Sequence, residues 1–232
     1  MENFIQTSNN MGYMSTYLDD YAKEFISLCN AKMRIFEAGA AFGVCTIPVL
    51  GKGTKVVVND LSSHHLDRIW NECSPLFRDN LVLAPGPIQE CHYEPESFDG
   101  IFTSRMLHLL KGEDIEKTVA NFYKWLKPGG KLVAVVDTPF LKCYAKNLEN
   151  YEARKAKGQK WPGMIYSTED FKHIVHNNIP DFINFIDLPT LERVISEAKF
   201  TIEKSSYISQ NSFPSELKFD GRESAGIIAL KP

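Results

Sequence analysis

The stretch from Ile35 to Thr46, "IFEAGAAFGVCT", sets an acid and two glycines at the end of an apolar run. The spacing is Glu37-x-Gly39-x-Ala41-x-Gly43, ahead of a short helix-like segment. Glycines at such a position let the backbone approach a ligand closely. A second acid, Asp60, closes the next apolar run, "TKVVVND". A carboxylate at that tip can take two ribose hydroxyls, as an acid does in dinucleotide-binding folds, or it can simply cap the helix that follows. The Gly-x-Gly-x-x-Gly spacing of a dinucleotide loop is not met, because Ala41 and Val44 stand where its second and third glycines belong. No Gly-Lys-Ser/Thr follows, so a phosphate-cradling P-loop is also excluded.

Positioning these residues takes alternating strands and helices. "MRIFEAG", "TKVVVND", "NLVLAPG", "FDGIFTS" and "GKLVAVVD" read as five strands, the last entered through the turn "KPGG". Helices are expected from Ser62, a candidate N-cap, to Cys73, and from Glu113 to Leu126. Near-continuous apolar strands between helices predict a parallel sheet covered on both faces, with ligands at the carboxyl ends of the strands. Residues 11–29 are expected to be helical, with Tyr13, Tyr17 and Tyr21 along one face or offered to a cation. A charged helix is expected over 141–157, then another in "LPTLERVISEAKF", then strands in "FTIEKSSYI" and "SAGIIALKP".

The totals fit one α/β domain over residues 1–232: an N-terminal helical cap to residue 30, a ligand-binding core over 31–140 and a cover over 141–232. A formal net charge of −3 without a basic stripe argues against nucleic acid as partner. Five scattered cysteines without Cys-x-x-Cys read as reduced thiols of a cytoplasmic protein. No metal site is expected, since neither Cys91-His92 nor His173-x-x-His176 has a partner pair at zinc spacing. The N-terminal residues lack signal-peptide regions, and no apolar run reaches membrane length.

The acid–glycine motif, the acid at Asp60, "FDGIFTSRMLHLL" and "WLKPGGKLVAVV" together resemble the class I S-adenosylmethionine-dependent methyltransferases, in that family's order. The resemblance implies a doubly wound, Rossmann-like, seven-stranded sheet, mostly parallel, with an antiparallel last strand. It implies S-adenosylmethionine as cofactor and S-adenosylhomocysteine as product. Glu37 would complement the cationic end, Gly39, Ala41 and Gly43 would pass beneath it, and Asp60 and Leu61 would meet the ribose side. Gly86, Pro87 and Ile88 would border the adenine, and Ser104 the methionine moiety. Two departures stand out. Ala41 replaces a glycine, and Gly86-Pro87-Ile88 lacks the family's adenine-binding acid, a role left to Gln89, Glu90 or the Ile88 amide.

A methyl acceptor would lie over the ends of the fourth and fifth strands, where His108 and Asp137 are candidate bases and Arg105 a candidate carboxylate anchor. His108 is equally readable as a packed core residue, and Arg105 as the partner of an acid. His173 and His176 fall in the expected cover and read mainly as surface or structural residues. No Asn-Pro-Pro-Tyr-like motif follows the fourth strand, which leaves a small-molecule acceptor as the expectation. A non-catalytic cofactor-binding protein and a protein or RNA methyltransferase are the alternatives. Neither the oligomeric state nor the acceptor's identity is legible.

Overall fold

The computed structural model describes residues 4–9, 11–168 and 180–232. A hairpin of β1 (Phe4–Gln6) and β2 (Tyr13–Ser15) leads into α1 (Asp20–Leu28). The core then runs β3 (Arg34–Ala38), α2 (Thr46–Leu50), β4 (Lys55–Asp60), α3 (Ser63–Glu72), β5 (Leu81–Pro85), β6 (Phe98–Ser104), α4 (Gly112–Trp125) and β7 (Leu126–Asp137). Next come α5 (Leu148–Ala156), the two-residue strands β8 (Met164–Ile165) and β9 (Ile183–Asn184), α6 (Leu188–Glu197), β10 (Thr201–Ile208) and β11 (Ser224–Leu230).

Seven strands form one sheet in the order β10-β11-β7-β6-β3-β4-β5. β3 pairs in parallel with β4 and β6, β4 with β5, and β6 with β7. β11 is antiparallel to both β7 and β10, so it alone runs against the rest. This is the doubly wound, mostly parallel sheet that the alternating segments predict. Chain order reverses between β3 and β4 on one side and β6 on the other, which opens a crevice at the carboxyl end of β3.

The central strands are near-continuously apolar because both of their faces are buried, whereas the edge strand β10 is polar and partly exposed. Phe36, Val57, Leu132, Ala134 and Val136 face the layer of α4 and α6, whereas Ile35, Val56, Val58, Val133 and Val135 face that of α1, α2 and α3. On α4, Ile115, Val119, Phe122 and Trp125 make the buried stripe. A smaller cluster of Phe140, Tyr144, Tyr151, Phe185 and Phe213 supports the later cover.

Three expectations change. The helix anticipated over 11–29 starts only at Asp20, whose neighbour Asp19 caps it by accepting from the Ala22 amide at 2.9 Å. Upstream, Tyr13 lies in β2, and Gly12 takes a φ of 120° that a helix cannot use. The segment 141–157 divides into a 3₁₀ turn over Lys142–Asn147 and α5. Ser62 does occupy the N-cap position of α3, but its side chain makes no capping bond. Its own amide instead donates to Oδ1 of Asp60 at 2.8 Å. His173 and His176 lie outside the described residues.

Candidate functional site

A cavity of about 320 Å³ opens at the crevice, over the carboxyl ends of β3, β4 and β6, with the N-terminal hairpin across it. Its wall includes Glu37, Gly39, Ala41, Asp60, Leu61, Gly86, Pro87, Ile88, Ser104 and Arg105. Gly43 lies just behind, where an added Cβ would stand 2.8 Å from Cγ1 of Ile69.

The loop after β3 has a repeating backbone demand. Gly39, Ala41 and Gly43 take φ values of 69°, 48° and 74°, so all three alternate positions are left-handed. Ala41 therefore carries a cost in its own backbone, of about 1–2 kcal/mol, in addition to the methyl it adds to the loop. Asn59 and Asp60 hold this loop to β4. The Asn59 carbonyl accepts from the amides of Gly39 and Ala40 at 2.9 and 3.1 Å. The Asn59 side-chain amide donates to the carbonyls of Ala84 and Gly86, both at 2.9 Å, which fixes the loop after β5.

Asp60 is almost fully buried and more heavily engaged than a free ribose acid would be. Its Oδ2 accepts from the Ala41 amide at 2.8 Å, and its Oδ1 from the Ser62 amide at 2.8 Å. Oδ1 also meets Nδ1 of His65 at 3.0 Å. A carboxylate offers about four acceptor sites, so one remains on Oδ2. The two-oxygen grip on a ribose becomes a single remaining contact. Asp60 is both the anchor of the following helix and a residue of the cavity wall.

Glu37 lies beneath the loop, 4% exposed, accepting from the Thr46 hydroxyl at 2.6 Å. Burial pushes its carboxyl up to about 7, against the lowering effect of the Thr46 bond, and the charge of Asp60 adds to the rise. Asp19, at the start of α1, is a third carboxylate in the wall, 4% exposed. Sequence reasoning missed it, together with Asn59 and His65. The helix expected over 11–29 put Asp19 in mid-helix, whereas the structure makes it the N-cap of α1.

The proton-transfer candidates separate. Arg105 lines the cavity with a φ of 54°, and its Nε donates to Oδ1 of Asp137 at 3.3 Å. The same oxygen accepts from the Ser224 hydroxyl at 2.8 Å. Arg105 thus meets the reading of an acid's partner while still facing the cavity. Neither Asp137 nor His108 lines the wall. Nδ1 of His108 accepts from the Asp137 amide at 3.2 Å, and burial lowers its pKa, opposed by the Asp137 charge. His108 is a packed, neutral histidine. Of the tyrosines, Tyr13 and Tyr17 line the cavity, whereas Tyr21 is buried and shares a 2.8 Å hydrogen bond with the Ser206 hydroxyl. Gln89 lines the wall after β5 and Glu90 does not.

Residues 35–130 match the model of the methyltransferase domain family. Over that stretch the chain is similar to methyltransferase domains, and its sheet has their Rossmann-like fold. The chain is 31% identical over 123 residues to the S-adenosyl-L-methionine-dependent Diels-Alderase iccD of Talaromyces variabilis, covering 50% of this chain and 41% of that protein. It is 32% identical over 125 residues to the polyketide synthase component of lovastatin nonaketide synthase from Aspergillus terreus, covering 49% of this chain and 4% of that protein. The chain thus spans less than half the length of these curated relatives. Among solved structures, the fold is shared with the 1,6-didemethyltoxoflavin-N1-methyltransferase of Burkholderia thailandensis, crystallised with 1,6-didemethyltoxoflavin and S-adenosylhomocysteine. That match has a TM-score of 0.63 and 17% identity, and it covers 91% of this chain and 78% of the other.

Proposed function

We propose that this chain transfers a methyl group from S-adenosylmethionine to a small-molecule acceptor. The observation that carries the reading is the charge of the cavity wall. Among the described residues of the wall, three carboxylates, Asp19, Glu37 and Asp60, stand against the single guanidinium of Arg105, which itself pairs with Asp137. Such a wall suits a ligand with a sulfonium and an ammonium group. The donor set fits in detail as well. Glu37, buried and poised near neutrality, becomes fully charged beside a cation. Oδ2 of Asp60 keeps one acceptor site for a ribose hydroxyl. Leu61, Pro87 and Ile88 offer apolar surface to an adenine ring, with Gln89 to meet its polar edge.

When bound, S-adenosylmethionine supplies a methyl carbon activated by the sulfonium. The residues of this chain bind, orient and desolvate. The hairpin brings Met11, Tyr13 and Met14 over the cavity, and Leu109 and Leu110 close it from the β6 side. These apolar side chains exclude water and limit the acceptor to a small molecule, and Arg105 offers an anchor for an anionic group on it. As proposed, residues 31–140 hold the cofactor, and the segments on either side cover the acceptor.

Thermal unfolding with S-adenosylmethionine, S-adenosylhomocysteine and NAD tests the cofactor. At ~100 times the dissociation constant, a ligand specific for the folded state adds about 2.7 kcal/mol. Stabilisation by the two adenosyl ligands and none by NAD is expected, and its absence overturns the proposal. A second reading, a cofactor-binding protein without methyl transfer, is favoured by one observation: neither His108 nor Asp137 reaches the cavity wall. Release of S-adenosylhomocysteine in an acceptor screen separates the two.

A further inference from the structure

The imidazole of His65 lies between the cavity floor and its cover. The residue is 1% exposed, and its two ring nitrogens meet different parts of the chain. Nδ1 faces Oδ1 of Asp60 at 3.0 Å, and Nε2 faces the backbone amide of Ser8 at 3.0 Å. A carboxylate only accepts and an amide N–H only donates. The proton must then sit on Nδ1, leaving Nε2 bare to receive the Ser8 N–H. The Phe42 ring meets the imidazole edge-on, with centroids 5.0 Å apart, and keeps its plane fixed.

Ser8 sits in the turn between β1 and β2, the hairpin whose Thr7, Asn9, Met11, Tyr13 and Met14 line the cavity. That turn is closed by two bonds to the Gly12 carbonyl, from the Thr7 amide at 3.0 Å and the Thr7 hydroxyl at 2.9 Å. A two-stranded hairpin of three-residue strands relies on tertiary anchors. On the other side, Asp60 is bound through Oδ2 to Ala41 of the glycine loop. One unbroken path therefore runs from the glycine loop through Asp60 and His65 to the hairpin.

We infer that His65 is a positioning residue that latches the N-terminal hairpin over the cavity and couples its closure to occupancy at Asp60. The coupling rests on the reading of Asp60 as a ligand-binding acid, whereas the latch does not. A hydroxyl donated to Oδ2 fixes the carboxylate, the carboxylate fixes the imidazole, and the imidazole holds the Ser8 amide. Ligand binding and cover closure then stabilise one another.

The test is hydrogen exchange of the hairpin amides, with and without S-adenosylhomocysteine, in the wild type, His65→Asn and His65→Gln. Asparagine can still donate to Asp60 but is too short to reach Ser8, whereas glutamine can present its amide oxygen there. Hairpin exchange is expected to be about tenfold faster in His65→Asn, with ligand affinity falling roughly three- to tenfold and ligand no longer slowing the hairpin. Glutamine should restore the protection. Identical hairpin exchange in the wild type and His65→Asn, in both states, overturns the inference. Imidazole nitrogen shifts of the wild type decide independently of any variant's folding: a proton on Nδ1 supports the latch, and one on Nε2 overturns it. If the wild type fails to bind S-adenosylhomocysteine, the functional reading and the coupling fall together. Ligand-free exchange and the tautomer then still decide the latch.

Discussion

The backbone amide of Ala41 donates to Oδ2 of Asp60 at 2.8 Å, which joins the middle of the glycine loop to the tip of β4. The carboxylate that faces the cavity is thus also what shapes the loop beneath it. Replacing Asp60 with Ala removes the acceptor of three bonds. S-adenosylhomocysteine binding is expected to weaken by about 1–3 kcal/mol, with a loss of stability of similar size. Calorimetric titration and denaturant unfolding measure the two. Wild-type affinity in the variant would sink the ligand-binding role of Asp60.

Ala41 is left-handed at a φ of 48°. Glycine there relieves about 1–2 kcal/mol of backbone cost and returns roughly half of it as unfolded-state entropy. Ala41→Gly should raise stability by up to ~1 kcal/mol in denaturant unfolding. A destabilised variant would mean that the alanine methyl makes contacts worth more than the strain.

The carboxyl of Glu37 rises to about 7 from the usual 4.5 through burial. An acid whose folded pKa is raised costs nothing below the unfolded value. The cost grows as pH climbs from 4.5 to about 7 and stays constant above. Glu37→Gln should therefore match the wild type at pH 4 and exceed it at pH 8 by on the order of 3 kcal/mol in the ligand-free state. Binding of a cationic ligand needs the charged carboxylate. Wild-type affinity for S-adenosylmethionine should strengthen as pH rises through about 7, and the glutamine variant should show a flat profile. Titrations across that range check both, and an equally steep profile in the variant would remove Glu37 from the explanation.

His108 is buried and held neutral, with its pKa below the usual 6.5. A base with a depressed folded pKa contributes stability that is intact above the unfolded value and lost as pH falls below it. His108→Gln should flatten that acid limb and cost about 1–3 kcal/mol at neutral pH, from a disturbed buried hydrogen bond. Turnover should stay within severalfold of the wild type. A loss of a thousandfold in kcat with an unchanged KM would restore His108 to the chemistry.

The sequence alone determined what local patterns dictate. Apolar strands alternating with helices mean a covered parallel sheet, and the strand limits read from Arg34 to Asp137 hold to within a residue or two at most ends. The alternating small residues 39, 41 and 43 were legible as a spacing in the sequence, and the left-handed φ they share came only with the structure. Asp60 ends β4 and Glu37 stands one residue before the end of β3, and strand ends in this topology face the crevice.

The N-terminus misled because Tyr13, Tyr17 and Tyr21 have helical spacing, yet the first two face the cavity and the third packs against the sheet. Only the tertiary structure decided the fate of the polar side chains whose partners are distant in the chain. His65 meets Ser8 across 57 positions, Arg105 meets Asp137 across 32, and Asn59 reaches Gly86 across 27. A histidine or an acid has the same chemistry wherever it stands, and its role is set by what the fold brings within hydrogen-bond reach. That made His108 a core residue, His65 a link to the cover and Asp19 a third carboxylate of the cavity.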